Sequence, residues 1–129
     1  MGWQTDLEDP LLLRVREIAL GFPGAKEKIS HGSPNWYTTK VFTGWGNHLK
    51  GDHASTALAR SISVLPDPDE RLALLEDPRF HVPGYIGHRG WLAFDLSGAE
   101  PDWAEVAELI ESSYRNTAGK RLIQQLDAR

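Results

Sequence analysis

The chain of 129 residues contains no cysteine. This absence excludes disulfide bonds, thiolate metal sites and cysteine nucleophiles, and it is typical of proteins in a reducing compartment. Hydrophobic residues make up 40% of the chain and charged residues 25%, which argues against disorder. The length and composition therefore predict one globular domain over residues 1–129.

No stretch of the sequence is long and apolar enough to span a membrane. The first ten residues also lack the basic and apolar regions of a secretory signal. We therefore expect no membrane partner and a cytoplasmic location.

Motifs for nucleotide binding and catalysis are missing too. Gly44-Trp45-Gly46 does not continue into GxGxxG, and Lys50-Gly51 does not complete a phosphate-binding loop. No serine lies in a GxSxG elbow. The sequence thus predicts no cofactor, no catalytic residue and no enzymatic activity.

Histidines are present, but their spacing does not favour a metal site. His48 and His53 share a glycine-rich segment with Asp52. They are five positions apart rather than the four that place two imidazoles on one helix face, and no HExxH accompanies them. We therefore expect no metal, and we interpret His81 and His88 as turn residues.

The net charge of −4 gives no overall excess of positive charge for binding phosphates. The distribution is uneven, however, because residues 26–60 carry five basic and two acidic groups, whereas residues 61–111 carry three basic and eleven acidic groups. This asymmetry indicates either a basic face on an acidic protein or a set of separately solvated charges.

Hydrophobic periodicity and turn residues predict the secondary structure. A helix is predicted over Pro10 to Leu20, capped by Asp9, and another is predicted to begin at Asp67 with that residue as its cap. The last clear helix is predicted to open at Pro101-Asp102, and the basic tail from Lys120 is predicted to add another helical turn or two. Strands are predicted at 28–32, 35–43 and 60–65, with a long loop at 44–57 and a hairpin that pairs 81–86 with 91–96.

This order, α-β-β-β-α-β-β-α, predicts an α+β fold. Without βαβ alternation, the expected product is a two-layer α/β sandwich with an antiparallel sheet and helices on one face. Leu72 and Leu75 are expected on the buried side of the second helix. The residues expected in the core are Leu11, Val15, Ile18, Ile62, Val64, Leu92, Phe94, Val106 and Ile110.

Trp45 differs from the other tryptophans because it is flanked by glycines and has no partner in a periodic pattern. It is expected either at a loop tip, where it could stack on a nucleic acid base beside Lys40 and Lys50, or packed on its own sheet.

Several short motifs occur in an order that resembles the MmcQ/YjbR family of small bacterial proteins. The resemblance covers most of the chain. Its landmarks are Phe22-Pro23-Gly24-Ala25, Gly32-Ser33-Pro34-Asn35-Trp36, Lys40-Val41-Phe42, Pro78-Arg79-Phe80, Tyr85-Ile86-Gly87, Gly90-Trp91-Leu92, Trp103, Ser112-Ser113-Tyr114-Arg115 and Lys120.

The resemblance implies a two-layer fold related to the CyaY-like arrangement, and DNA as the partner, contacted by a double wing of strands. No catalytic residue comes with it. Combined with the charge pattern, it predicts contacts to DNA from Lys26, Lys28, Lys40, Trp45, Lys50 and Arg60.

Two alternatives remain open. The first is a domain that binds a small molecule or a protein through a hairpin surface containing Trp36, His88, Arg89 and Trp91. The second is an uncharacterised enzyme, for which the scattered histidines are the sequence feature.

Overall fold

A computed structural model of the chain describes residues 5–52 and 54–129. Six antiparallel strands form one sheet in the order β1-β2-β3-β4-β6-β5. The strands are β1 (Lys26–Ser30), β2 (Ser33–Tyr37), β3 (Val41–Trp45), β4 (Ser61–Val64), β5 (Phe80–His81) and β6 (Leu92–Asp95).

Four α-helices accompany the sheet in the described part of the chain: α1 (Pro10–Leu20), α2 (Pro68–Leu75), α3 (Trp103–Thr117) and α4 (Lys120–Asp127). The α+β class, the antiparallel sheet and the two-layer arrangement are confirmed. The predicted element order differs in one place, because there are four strands before α2 rather than three; the further helical turns predicted from Lys120 are present as α4. None of the helices in the described ranges has the length and apolar character needed to cross a membrane.

The additional strand arises because the predicted run 35–43 turns back on itself. Thr38 N–H donates to Lys40 O at 3.1 Å, which closes a tight turn between β2 and β3. Trp36 then pairs with Thr43 and Tyr37 with Val41, so that Phe42 is one extra residue, a β-bulge. The bulge sends the Phe42 ring into the core, where the rings of Phe22 and Tyr114 lie 6.0 and 5.2 Å away, centroid to centroid.

The core lies between the sheet and α1 and α3. Seven of the nine residues expected there are buried, from Val15 on α1 to Ile110 on α3. Leu11 and Ile18 are only half-buried, because the stripe that α1 turns to the sheet is centred on Leu12, Val15 and Ala19.

The prediction for α2 needs a larger correction. Leu72 is 76% exposed, while Leu74 and Leu75 pack against the core from its margin. This short helix lies beside β5 at the sheet edge, where little sheet surface is available for burial. Asp67 does occupy the N-cap position, but its side chain makes no capping hydrogen bond, unlike Asp9 before α1 and Asp102 before α3.

Residues near the end of α3 attach that helix to the strands. Ser113 Oγ donates to Phe42 O at 2.5 Å and accepts from Leu65 N–H at 2.9 Å. Tyr114 Oη donates to Pro23 O at 2.7 Å, and burial raises the pKa of this phenol. These three bonds fix α3 to the bulge in β3, to the end of β4 and to the chain before β1.

The sheet face away from the helices is covered at its centre. Ser61, Ser63 and Ala93 point to that face and are buried. Asn47 and Leu58 contribute to this cover, because Asn47 Nδ2 donates to Ser61 Oγ at 2.9 Å and Ser61 Oγ donates to Leu58 O at 2.6 Å. Farther along, Leu49 forms a bridge with Pro83, and Gly84 N–H donates to His48 O at 2.8 Å. The predicted hairpin is therefore short: β5 ends at His81, and Pro83 and Gly84, which follow it, contact Leu49 and His48 instead.

Candidate nucleic-acid interface

On β1 and β2, the face away from the helices carries a group of basic and aromatic side chains. Lys26 pairs with Tyr37 and Lys28 with Asn35, and directly opposed residues in an antiparallel pair point to the same face. Trp36, which points to the core, marks the opposite face. We name the surface formed by Lys26, Lys28, Asn35, Tyr37 and the adjoining turn residue Lys40 the basic platform.

The acidic residue between the two lysines does not neutralise them, because the alternation of the strand turns Glu27 to the helix side. Its carboxylate accepts from Arg16 Nε at 2.8 Å and Nη2 at 3.1 Å, and from Trp36 Nε1 at 2.8 Å. The bond from Arg16 is the main reason why the pKa of Glu27 is lowered. Glu27 is therefore an ionised residue that binds Arg16 of α1. It does not pair with Lys26 or Lys28, which lie on the opposite face of the sheet.

Ion pairs in the structure are formed by arginines. Arg14, Arg16, Arg60, Arg79 and Arg115 each contact a carboxylate, whereas no lysine does so within the described residues. Lys26, Lys28 and Lys40 are exposed. The three ammonium groups of the basic platform thus have no carboxylate partner in the part of the chain that the structure describes.

Lys50 lies away from the basic platform. It is exposed in the turn closed by the Leu49–Asp52 bridge, and Leu49 is held against Pro83. Pro83 follows β5, the strand at the far edge from β1. Lys50 is therefore not gathered with the other three lysines.

Arg60 is also separate, because it is engaged with Asp9. Its Nε and Nη2 donate to the two carboxylate oxygens of Asp9, each at 2.7 Å. Asp9 also accepts from Leu11 N–H as the cap of α1, and its side chain is mostly buried. The bonds from Arg60 are the main reason why the pKa of Asp9 is lowered, and they raise the pKa of Arg60 in turn. Arg60 therefore fastens α1 to the start of β4.

Both tryptophans proposed as contact residues are buried. Trp45 is 3% exposed and pairs with Ile62 inside the sheet, so the loop-tip hypothesis is wrong and the packing alternative holds. Trp36 is fully buried in the core, which removes it from any surface. The aromatic residue that does accompany the lysines is Tyr37, half-buried and with Lys28 Nζ 4.9 Å from its ring centroid. Tyr37 could have been found from the sequence by pairing β1 with β2, because that register places Tyr37 on the same face as Lys26 and Lys28.

The alternative ligand surface is not assembled. His88 and Arg89 are exposed on a single 3-10 turn, Gly87–Arg89, and Trp91 beside it is half-buried. Trp36 belongs to β2, which β3 and β4 separate from β6. The four residues therefore do not line one site.

Acidic residues concentrate in the helical layer. A groove of about 320 Å³ lies between α2 and α3, with Glu70, Glu105 and Glu108 on its walls. Arg79 bridges Asp77 and Glu105 with distances of 2.7 Å to each. The carboxylates of Glu70, Glu105 and Glu108 thus lie in the helical layer, on the other side of the sheet from the basic platform.

Metal-ligating side chains are dispersed. No group of three or more His, Asp or Glu residues that could hold a metal ion occurs in residues 5–52 and 54–129. His53, one of the histidines considered from the sequence, lies outside the described residues. The expected absence of a metal stays a prediction.

The family model YjbR matches residues 20–116, three quarters of the chain, and the chain therefore belongs to the YjbR family. Comparison with curated proteins gave no match, and comparison with solved structures gave none either. Most landmarks of the family resemblance serve the fold: Phe22 stacks on Tyr114, Pro23 accepts its hydroxyl, and Trp36 bonds Glu27. Asn35 and Lys40 are the landmarks that belong to the basic platform.

Proposed function

We propose that this protein binds DNA without catalysis, through the basic platform. The observation that carries the proposal is that Lys26 and Lys28 share one exposed face of β1, with Lys40 exposed in the adjoining turn, while Glu27 points to the helix side and the acidic groups of α2 and α3 lie in the helical layer. Membership of the YjbR family supports it by analogy. A cytoplasmic location in a bacterium is part of the proposal, since DNA and a reducing environment coincide there.

The energetics of such binding are electrostatic. Each phosphate that a lysine neutralises releases condensed counterions, which gives a slope of about −0.9 in log affinity against log salt for duplex DNA. Three lysines therefore predict a slope of about −2.7. Binding of this kind is weak and has little sequence preference, because phosphate contacts carry no base information.

Fluorescence anisotropy titrations of labelled DNA at several salt concentrations test the proposal. Lys26→Ala and Lys28→Ala should each lower affinity for unrelated sequences and reduce the magnitude of the slope by about one. Lys50→Ala removes the same charge from a site away from the basic platform and is the matched control. Glu108→Ala in the acidic groove should also change little.

Arg60→Ala distinguishes the basic platform from the DNA contacts predicted from the sequence, because only the latter include Arg60. Because Arg60 is paired with Asp9, its loss should lower stability and leave the salt slope unchanged. If the wild-type protein shows no salt-dependent binding to DNA at low ionic strength, or if Lys50→Ala changes the slope as much as Lys28→Ala, the basic platform is not a DNA site.

A further inference from the structure

Tyr37 occupies the middle of the basic platform. It lies in β2 beside β1, with Lys26 directly opposite and the ammonium group of Lys28 4.9 Å from its ring centroid. Tyr37 is half-buried, so part of the residue is open to solvent. A sheet surface that combines an accessible aromatic ring with flanking cations supports stacked bases and their phosphates.

We infer that the basic platform binds single-stranded nucleic acid, with a base stacked on Tyr37 and the adjoining phosphates on Lys26, Lys28 and Lys40. This inference rests on the proposed DNA binding. In a duplex, the faces of the bases are covered by their neighbours, so a ring on a flat sheet surface cannot reach them. A single strand presents those faces without an unpairing cost.

The contact between Lys28 and Tyr37 does not prevent stacking. An exposed cation–π contact changes an equilibrium by about 2- to 5-fold. Stacking of a base on an aromatic side chain contributes about 5- to 150-fold. A base can therefore take the place of the ammonium group, which then remains close to the phosphate that accompanies the base.

The basic platform should discriminate only weakly among the four bases. Asn35, the amide side chain within it, donates to Ser33 O at 3.2 Å, and its Oδ1 packs against Gly44. The amide is thus turned to its own strand and to β3 rather than toward a ligand. We expect similar affinity for different single strands, since every base has a stacking face.

The test compares oligo(dT), oligo(rU) and a duplex of equal length by anisotropy, with wild-type protein and four variants. Tyr37→Ala and Tyr37→Leu should each weaken single-strand binding about 5- to 150-fold while the salt slope stays nearly constant. Tyr37→Phe keeps the ring and should keep the affinity. Tyr37→Leu retains apolar bulk in β2, so it remains informative if the alanine variant is unstable.

Trp103→Leu is the matched control, because Trp103 is a half-buried aromatic residue with a cation over it, Arg14 at 5.7 Å, but in the helical layer. It should not change binding. Equal loss for Tyr37→Phe and Tyr37→Leu overturns the stacking role. Salt-dependent duplex binding with no preference for single strands overturns the inference and leaves the proposed function intact, whereas no binding to any of the three refutes both.

Discussion

Removing the Ser113 hydroxyl should destabilise the protein more than the small volume of the lost atom suggests. Ser113 is fully buried in α3, and its Oγ bonds two backbone groups of the sheet: the carbonyl of Phe42 at the bulge and the N–H of Leu65 after β4. In Ser113→Ala, both backbone groups lose this partner. Each unsatisfied buried group costs roughly 1 to 3 kcal/mol. Because Leu65 is half-buried and partly reached by water, we expect a loss of about 2 to 4 kcal/mol.

Urea titration followed by circular dichroism measures this loss as a lower midpoint with an unchanged m-value. Ser112→Ala is the matched control, because it makes the same change one residue earlier in the same helix, and the side chain of Ser112 has no hydrogen bond within the described ranges. Both variants gain the same helix propensity, so their difference isolates the hydrogen bonds of Ser113. If the two variants agree to within about 0.5 kcal/mol, the range of ordinary surface changes, the reasoning is refuted.

Three further predictions concern the core, the sheet and the N-cap of α1. Ile110→Ala and Leu92→Ala each remove a fully buried side chain and should cost about 2 to 5 kcal/mol in a urea titration; a change near zero would place the residue outside the core. Gly44→Ala should cost about 1 to 3 kcal/mol, because the new Cβ would overlap Asn35 Oδ1 and lie 3.2 Å from Ser63 Oγ; adding Asn35→Ala should recover part of the loss, and no recovery would contradict this explanation. Asp9 has a lowered pKa in the folded state, so the stability it contributes is present above its unfolded pKa and is lost as the pH falls through the folded value. The stability advantage of wild-type protein over Asp9→Asn should therefore shrink in chemical denaturation between pH 6 and pH 3, and a constant difference would show that the carboxylate charge is not involved.

Local sequence signals were sufficient to predict the helices that begin with a capping residue. Asp9 with Pro10 and Asp102 with its following helix mark the starts of α1 and α3, and their apolar spacing gave most of the core. The turn at Thr38 to Lys40 contains neither glycine nor proline, so the alternating pattern of side chains predicted one continuous strand over 35–43. The turn forms because β2 pairs with β3, and the local residue pattern does not specify that pairing.

Long-range contacts account for the errors at the site. Trp45 lies between two glycines, which predicted a loop, but β3 continues through Gly44 and Trp45 because both pair with β4. The glycine at position 44 leaves space for the side chain of Asn35. The partner of Arg60 is Asp9, distant in the chain, so its charge was counted as available for DNA. The lysines of β1 were proposed from the charge distribution and the family resemblance, whereas Tyr37 required the β1–β2 register.

The position of β1 at the edge of the described sheet gives its lysines a second consequence. An edge strand exposes backbone groups that can pair with another chain, and Ile29 on this strand is 55% exposed. Charged lysines at an edge oppose such pairing through repulsion between copies. Neutralising Lys26 and Lys28 should therefore favour aggregation through β1, and the alanine variants should show a lower solubility limit than Lys50→Ala at low salt.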